Sequence, residues 1–100
     1  MKVLAGITVV PLGVGVSLSA YVAACEAILT EAGLKPQLHA NGTNVEGEWG
    51  AVFAALERCH LRLHEMGAPR VTSHLQVATR TDRDQTLDDK IRSVRAKLGG

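Results

Sequence analysis

The chain has 100 residues, 11 basic and 10 acidic, a formal net charge of +1 and two cysteines. That length makes a single domain over residues 1–100, which buries roughly 60–65% of its unfolded surface and gains from oligomerisation. Near-neutral charge without a basic block argues against nucleic acid as the main partner. No run of about eighteen apolar residues marks a membrane span.

Residues 2–10 are apolar nearly throughout. Val3, Ala5, Ile7 and Val9 face one way and Leu4, Gly6, Thr8 and Val10 the other, the pattern of a strand buried on both faces. The opening Met1-Lys2-Val3-Leu4-Ala5 faintly suggests a signal peptide. Thr8, Pro11 and several glycines break that apolar run and no small-residue cleavage site follows, so the expected location is cytoplasmic. Pro11–Ser17 reads as a loop, because proline stops a strand's ladder. Its Gly13-x-Gly15 lacks the third glycine of a dinucleotide fingerprint. Ser17 reads as an N-cap or as a ligand contact.

Residues 18–32 predict a helix with the stripe Leu18, Val22, Cys25, Leu29 and Ala32, ended by Gly33. Residues 35–40 predict a strand that Pro36 assigns to a sheet edge. Asn41-Gly42 predicts a two-residue hairpin turn. In the strand over 43–48, Thr43, Val45 and Gly47 lie on one side and Asn44, Glu46 and Glu48 on the other. That polar side either faces water or lines a pocket for a cationic or nitrogen-rich ligand.

Residues 49–66 predict a second helix with the stripe Trp49, Val52, Phe53, Leu56, Cys59, His60 and Leu63, closed by Gly67 and Pro69. Cys25 and Cys59 both fall on apolar faces and read as free packed thiols. Residues 70–80 predict a strand with Val71, Ser73, Leu75 and Val77 inward and Thr72, His74, Gln76 and Ala78 outward. Arg80–Gln85 forms a mixed-charge loop, suited to water or to pairing between subunits. Thr86-Leu87-Asp88-Asp89 resembles a capping box opening a last helix lined by Leu87, Ile91, Val94 and Leu98. The spacing of His60 and His64 permits a shared metal, but no third ligand accompanies them, so no metal site is expected.

The first six elements give β-α-β-β-α-β, the ferredoxin-like α+β pattern: a four-stranded antiparallel sheet with two helices on one face, here with an added C-terminal helix. The sheet's other face, with Leu4, Gly6, Thr8, Val10, Thr72, His74, Gln76 and Ala78, is too apolar for comfortable exposure. It predicts sheet-to-sheet packing of subunits.

The chain resembles a family of small thiamine-binding proteins, long known as an uncharacterised ferredoxin-like family of the UPF0045 type. The residues that carry this are Pro11-Leu12-Gly13, Gly15, Ser17-Leu18-Ser19, Tyr21-Val22, Gly42-Thr43, Val45-Glu46-Gly47-Glu48-Trp49, Gly67-Ala68-Pro69-Arg70-Val71, Arg80, Asp82-Arg83-Asp84, Lys90 and Ser93-Val94. No one of them is specific; their order and spacing over nearly the whole length are. At Ala40-Asn41 the chain departs from the Pro-Met that such sequences carry. The resemblance implies a cytoplasmic homotetramer that binds thiamine or its hydroxymethylpyrimidine part at subunit interfaces, without catalysis. It implies no cofactor besides thiamine as ligand. Candidate contacts are Thr8, Ser17, Ser19, Thr43, Asn44, Glu46 and Glu48: carboxylates for a cationic thiazolium or an exocyclic amine, hydroxyls and an amide for pyrimidine nitrogens. The alternatives are an enzyme on such a pyrimidine, with Glu46 or Glu48 as base and His74 as acid, and a ligand-sensing signalling oligomer.

Overall fold

The computed structural model describes residues 1–99. Its strands are β1 (Lys2–Leu12), β2 (Gln37–His39), β3 (Gly42–Glu48) and β4 (Arg70–Ala78), and its helices α1 (Ser19–Glu31), α2 (Trp49–Glu65) and α3 (Leu87–Lys97). The strands form one antiparallel sheet ordered β2-β3-β1-β4. This is the ferredoxin-like βαββαβ arrangement followed by a third helix. β1 is central because both its faces are apolar, and β2, with Pro36 just before it, is an edge strand.

The alternation read from sequence sets the layers. Val3, Ala5 and Ile7 of β1 and Val45 of β3 are buried under Cys25 and Leu29 of α1 and Val52, Ala55, Cys59 and Leu63 of α2. Gly47 belongs to the same face: a Cβ there would lie 2.6 Å from Leu34 Cδ2, so the bare glycine lets Leu34 seat on β3. Trp49 and Phe53, assigned from sequence to the stripe of α2, sit at its margin, 44% and 37% exposed, with ring centroids 4.9 Å apart. Ala55 takes the buried position instead.

Three local expectations are corrected. Pro11 lies inside β1, paired with Val71 of β4, rather than in a loop. β3 pairs with β1 only as far as Ile7, so at Pro11 one side of β1 is unpaired and the missing N–H breaks no ladder bond. The hairpin turn comprises Ala40 and Asn41, not Asn41 and Gly42: His39 pairs with Gly42, and neither turn residue has positive φ. His39 Nδ1 instead accepts from the Asn41 amide at 3.2 Å. Gly42 is needed for close approach, since a Cβ there would lie 2.7 Å from the Ile7 carbonyl oxygen. Ser17 does not cap α1; the N-cap is Leu18, with no side-chain cap bond.

α3 begins with the expected capping box. Thr86 Oγ1 accepts from the Asp89 amide and Asp89 Oδ2 from the Thr86 amide, both at 3.0 Å. Leu87 is buried, and Gln37 Nε2 donates to Asp88 Oδ1 at 3.0 Å, which ties α3 to the edge of the sheet. The rest of its stripe is bare, with Val94 59% and Leu98 79% exposed. Thr72, His74 and Gln76 on the face opposite α1 and α2 are exposed as well.

Candidate ligand-binding site

A cavity of about 260 Å³ opens between α1 and the β2–β3 hairpin. Ile7, Val9, Leu18, Val22, Leu29 and Leu38 supply its apolar walls, and Glu26 is its one carboxylate. Positions 22, 26 and 29 recur at i, i+4 and i+7, so α1 holds Glu26 within its apolar stripe rather than out in water. Facing it, β3 turns Thr43 to the helix side. Thr43 is the one buried polar residue among those described, and its Oγ1 donates a hydrogen bond to Glu26 Oε1.

The hairpin tip forms the rim. Thr8 Oγ1 donates to the Asn41 carbonyl at 3.1 Å, and Ala40, Asn41 and His39 also line the opening. Glu26 is fixed by Thr43 yet keeps free lone pairs, because a carboxylate offers about four acceptor sites. An amino group or a cation entering this space meets an oriented anion between apolar walls. The volume falls near the lower end of small-molecule sites, about 300–1,000 Å³, and suits one substituted ring held deeply.

The structure divides the seven candidate contacts. Thr8 and Thr43 meet at this cavity. Ser17 and Ser19 are exposed on either side of Leu18, which lines its wall. Asn44 and Glu46 lie on the opposite face of the sheet. Glu46 is nearly enclosed, 12% exposed at its side chain; Lys2 Nζ is 3.9 Å from Oε2, and that shielded oxygen accepts no hydrogen bond among the described residues. Glu48, at the end of β3, is exposed and accepts from the Met1 ammonium at 2.9 Å. Sequence reasoning missed Glu26. The signal was there: one acid at a stripe position of an alanine-rich helix.

The histidines have local partners. His60 Nε2 is hydrogen-bonded to Ser73 Oγ at 2.9 Å, and His64 Nδ1 donates to the Ala68 carbonyl at 2.8 Å. Among the described residues, no three His, Cys, Asp or Glu are grouped to hold a metal. Cys25 and Cys59 are buried free thiols on facing helices. Cys59 Sγ donates to the Cys25 carbonyl oxygen at 4.0 Å, and the neighbouring Cys59 thiol, together with burial, raises the Cys25 pKa. In the charged loop, Arg80 grips Asp82 through Nε at 2.7 Å and Nη2 at 2.5 Å, and Lys2 Nζ donates to Asp84 at 3.0 Å. The Arg80 hydrogen bonds hold the Asp82 carboxyl down at about 2. No helix among the described residues is long and apolar enough to cross a membrane.

Fold and cavity together define a small ferredoxin-like domain with a carboxylate set into an apolar cleft. Residues 5–95 match the family model described as thiamine-binding protein, and the chain belongs to that family. UPF0045 protein sll0230 of Synechocystis is 56% identical to it over 98 residues, covering 98% of this chain and 81% of the relative. UPF0045 protein MJ1052 of Methanocaldococcus jannaschii is 30% identical over 93 residues, covering 93% of this chain and 92% of the relative. The crystal structure of MJ1052 superposes with a TM-score of 0.88 over 94% of this chain and 96% of that one. A Thermotoga maritima structure, described with a provisional assignment to thiamine biosynthesis or salvage, shares the fold at a TM-score of 0.80. It is 22% identical and covers 95% of this chain and all of that one.

Proposed function

We propose that this protein binds thiamine or its hydroxymethylpyrimidine moiety without transforming it, and does so as a homo-oligomer. The observation that carries the reading is Glu26, oriented by Thr43 inside an otherwise apolar cavity. The exocyclic amine of the aminopyrimidine donates to Glu26, the ring lies between Leu18, Val22 and Ile7, and Thr8 and Thr43 supply hydroxyls near its nitrogens. Ser17 and Ser19 flank the entrance and meet the part of the ligand that protrudes. The thiazolium is cationic, and a carboxylate nearby offsets that charge in a partly desolvated setting.

Asn44, Glu46 and Glu48 point away from this cavity. In the proposed assembly a second copy stacks on the sheet face that bears Thr72 and His74. Asn44 and Glu46 then lie at the border of that interface, where the shielded Glu46 oxygen gains a donor. The family match supports the ligand class, and the bare stripe of α3 supports association.

Isothermal titration with thiamine and with hydroxymethylpyrimidine tests the ligand. Saturable heat for at least one of them at micromolar concentration is expected. No heat for either at high micromolar concentration contradicts the reading. Sedimentation at working concentration tests the assembly, and a single-chain mass contradicts that half.

A further inference from the structure

On the sheet face opposite Glu26, the register sets Gly6 of β1 between Asn44 of β3 and Gln76 of β4. A Cβ at Gly6 would meet only Asn44 Oδ1, at 3.7 Å, so the floor here is bare backbone with a carboxamide on each side. Neither side-chain amide has a hydrogen-bond partner among the described residues. Leu87 and Ile91 of α3 roof the space, a slot of about 300 Å³. A flat floor, an apolar roof and two carboxamides that both donate and accept match a planar ring whose edge carries nitrogens, amines or carbonyls.

The slot opens past Leu4, Ala78 and Lys90 into a cleft of about 460 Å³ that these residues share with it. Lys2, Arg80 and Arg83 line that cleft. Lys2 and Arg80 are occupied by Asp84 and Asp82, whereas Arg83 and Lys90 have no carboxylate partner among the described residues. Ser93 adds a hydroxyl beside them. Two uncommitted cations, one a planar guanidinium, with a hydroxyl suit a phosphate.

We infer that this chain has a second ligand site, independent of Glu26, for a planar nitrogen heterocycle carrying a phosphate: ring on Gly6 between Asn44 and Gln76, phosphate on Arg83 and Lys90. A nucleoside monophosphate and a phosphorylated aminopyrimidine share that chemistry. The slot lies under α3, at the Leu4 and Ala78 end of the sheet face; its Gly6 and Gln76 edge adjoins the Thr8 and His74 pair, where the region proposed for subunit contact begins.

The test is calorimetric titration of the full chain with cytidine monophosphate, hydroxymethylpyrimidine phosphate, cytidine and ribose 5-phosphate. At least one of the two phosphorylated heterocycles binds saturably and at least tenfold tighter than cytidine or ribose 5-phosphate, and their ranking identifies the source. Gly6→Val, which fills the slot with a residue suited to strands, abolishes this binding. The Arg83→Ala, Lys90→Ala double variant, which leaves the sheet untouched, weakens it at least tenfold. In Glu26→Gln the binding that Gly6→Val and the double variant remove persists, so failure of the thiamine reading and failure of this one are distinguishable. No saturable binding of either phosphorylated heterocycle at millimolar concentration overturns the inference. So does ribose 5-phosphate binding as tightly as both, or unchanged affinity in the double variant.

Discussion

Thr43 of β3 donates its hydroxyl hydrogen to Glu26 of α1, the one direct side-chain hydrogen bond that crosses from the sheet to this helix among the described residues. It fixes one carboxylate oxygen and leaves the other face of the group toward the cavity. Replacing Glu26 with Gln keeps the size and a hydrogen-bonding partner for Thr43 but removes the charge. A hydrogen bond to a charged group contributes about 1.5–3 kcal/mol net, which corresponds to a loss of roughly tenfold to a hundredfold in affinity for thiamine. Calorimetric titration of Glu26→Gln beside the parent measures it, with chemical unfolding as the control for stability.

Gly47→Ala destabilises the fold. The added Cβ falls 2.6 Å from Leu34 Cδ2, and Leu34 is itself 1% exposed, so it has little room to yield. Overpacking of this kind costs about 1–3 kcal/mol. A lowered urea midpoint at unchanged slope reports it.

Thr86→Ala removes one half of the capping box and leaves the Asp89 amide without its side-chain acceptor. The loss is about 0.5–2 kcal/mol, and it falls on α3, whose packing rests mainly on Leu87. Amide hydrogen exchange at residues 89–92 accelerates, while that of β1 stays slow.

Asp82 titrates at about 2, against an ordinary 3.8, because Arg80 holds its charged form. The native-state value is depressed, so the favourable linkage is fully present above the ordinary value and is lost as pH falls through about 2. The pair is exposed, so its effect on global stability is small; the clear readout is local. Carboxyl NMR titration finds the Asp82 midpoint near 2, and Arg80→Ala moves it up toward the ordinary value.

The layers of the fold were legible in the chain because period-two alternation in β1, β3 and β4 and the stripes of α1 and α2 are local patterns that burial then obeys. Val45 and Thr43 point inward as their spacing demands. The misses came from information that is not local. Pro11 is tolerated in β1 only because β3 has already ended beside it, which is a fact about register. The turn moved back to Ala40 and Asn41 because contacts with β1, not φ preferences, set where the hairpin reverses. Glu26 stands alone among apolar neighbours on α1, whereas Glu46 and Glu48 share the polar side of β3. Its significance depends on Thr43 arriving from a distant stretch of chain. The slot at Gly6 was invisible for the same reason: the sequence shows one glycine, and only pairing sets Asn44 and Gln76 on its two sides.

A crystal grown with thiamine is the sharpest check. The aminopyrimidine is expected between α1 and the β2–β3 hairpin, its exocyclic amine within hydrogen-bond distance of Glu26. Thiamine seated elsewhere, with that cavity empty, contradicts it.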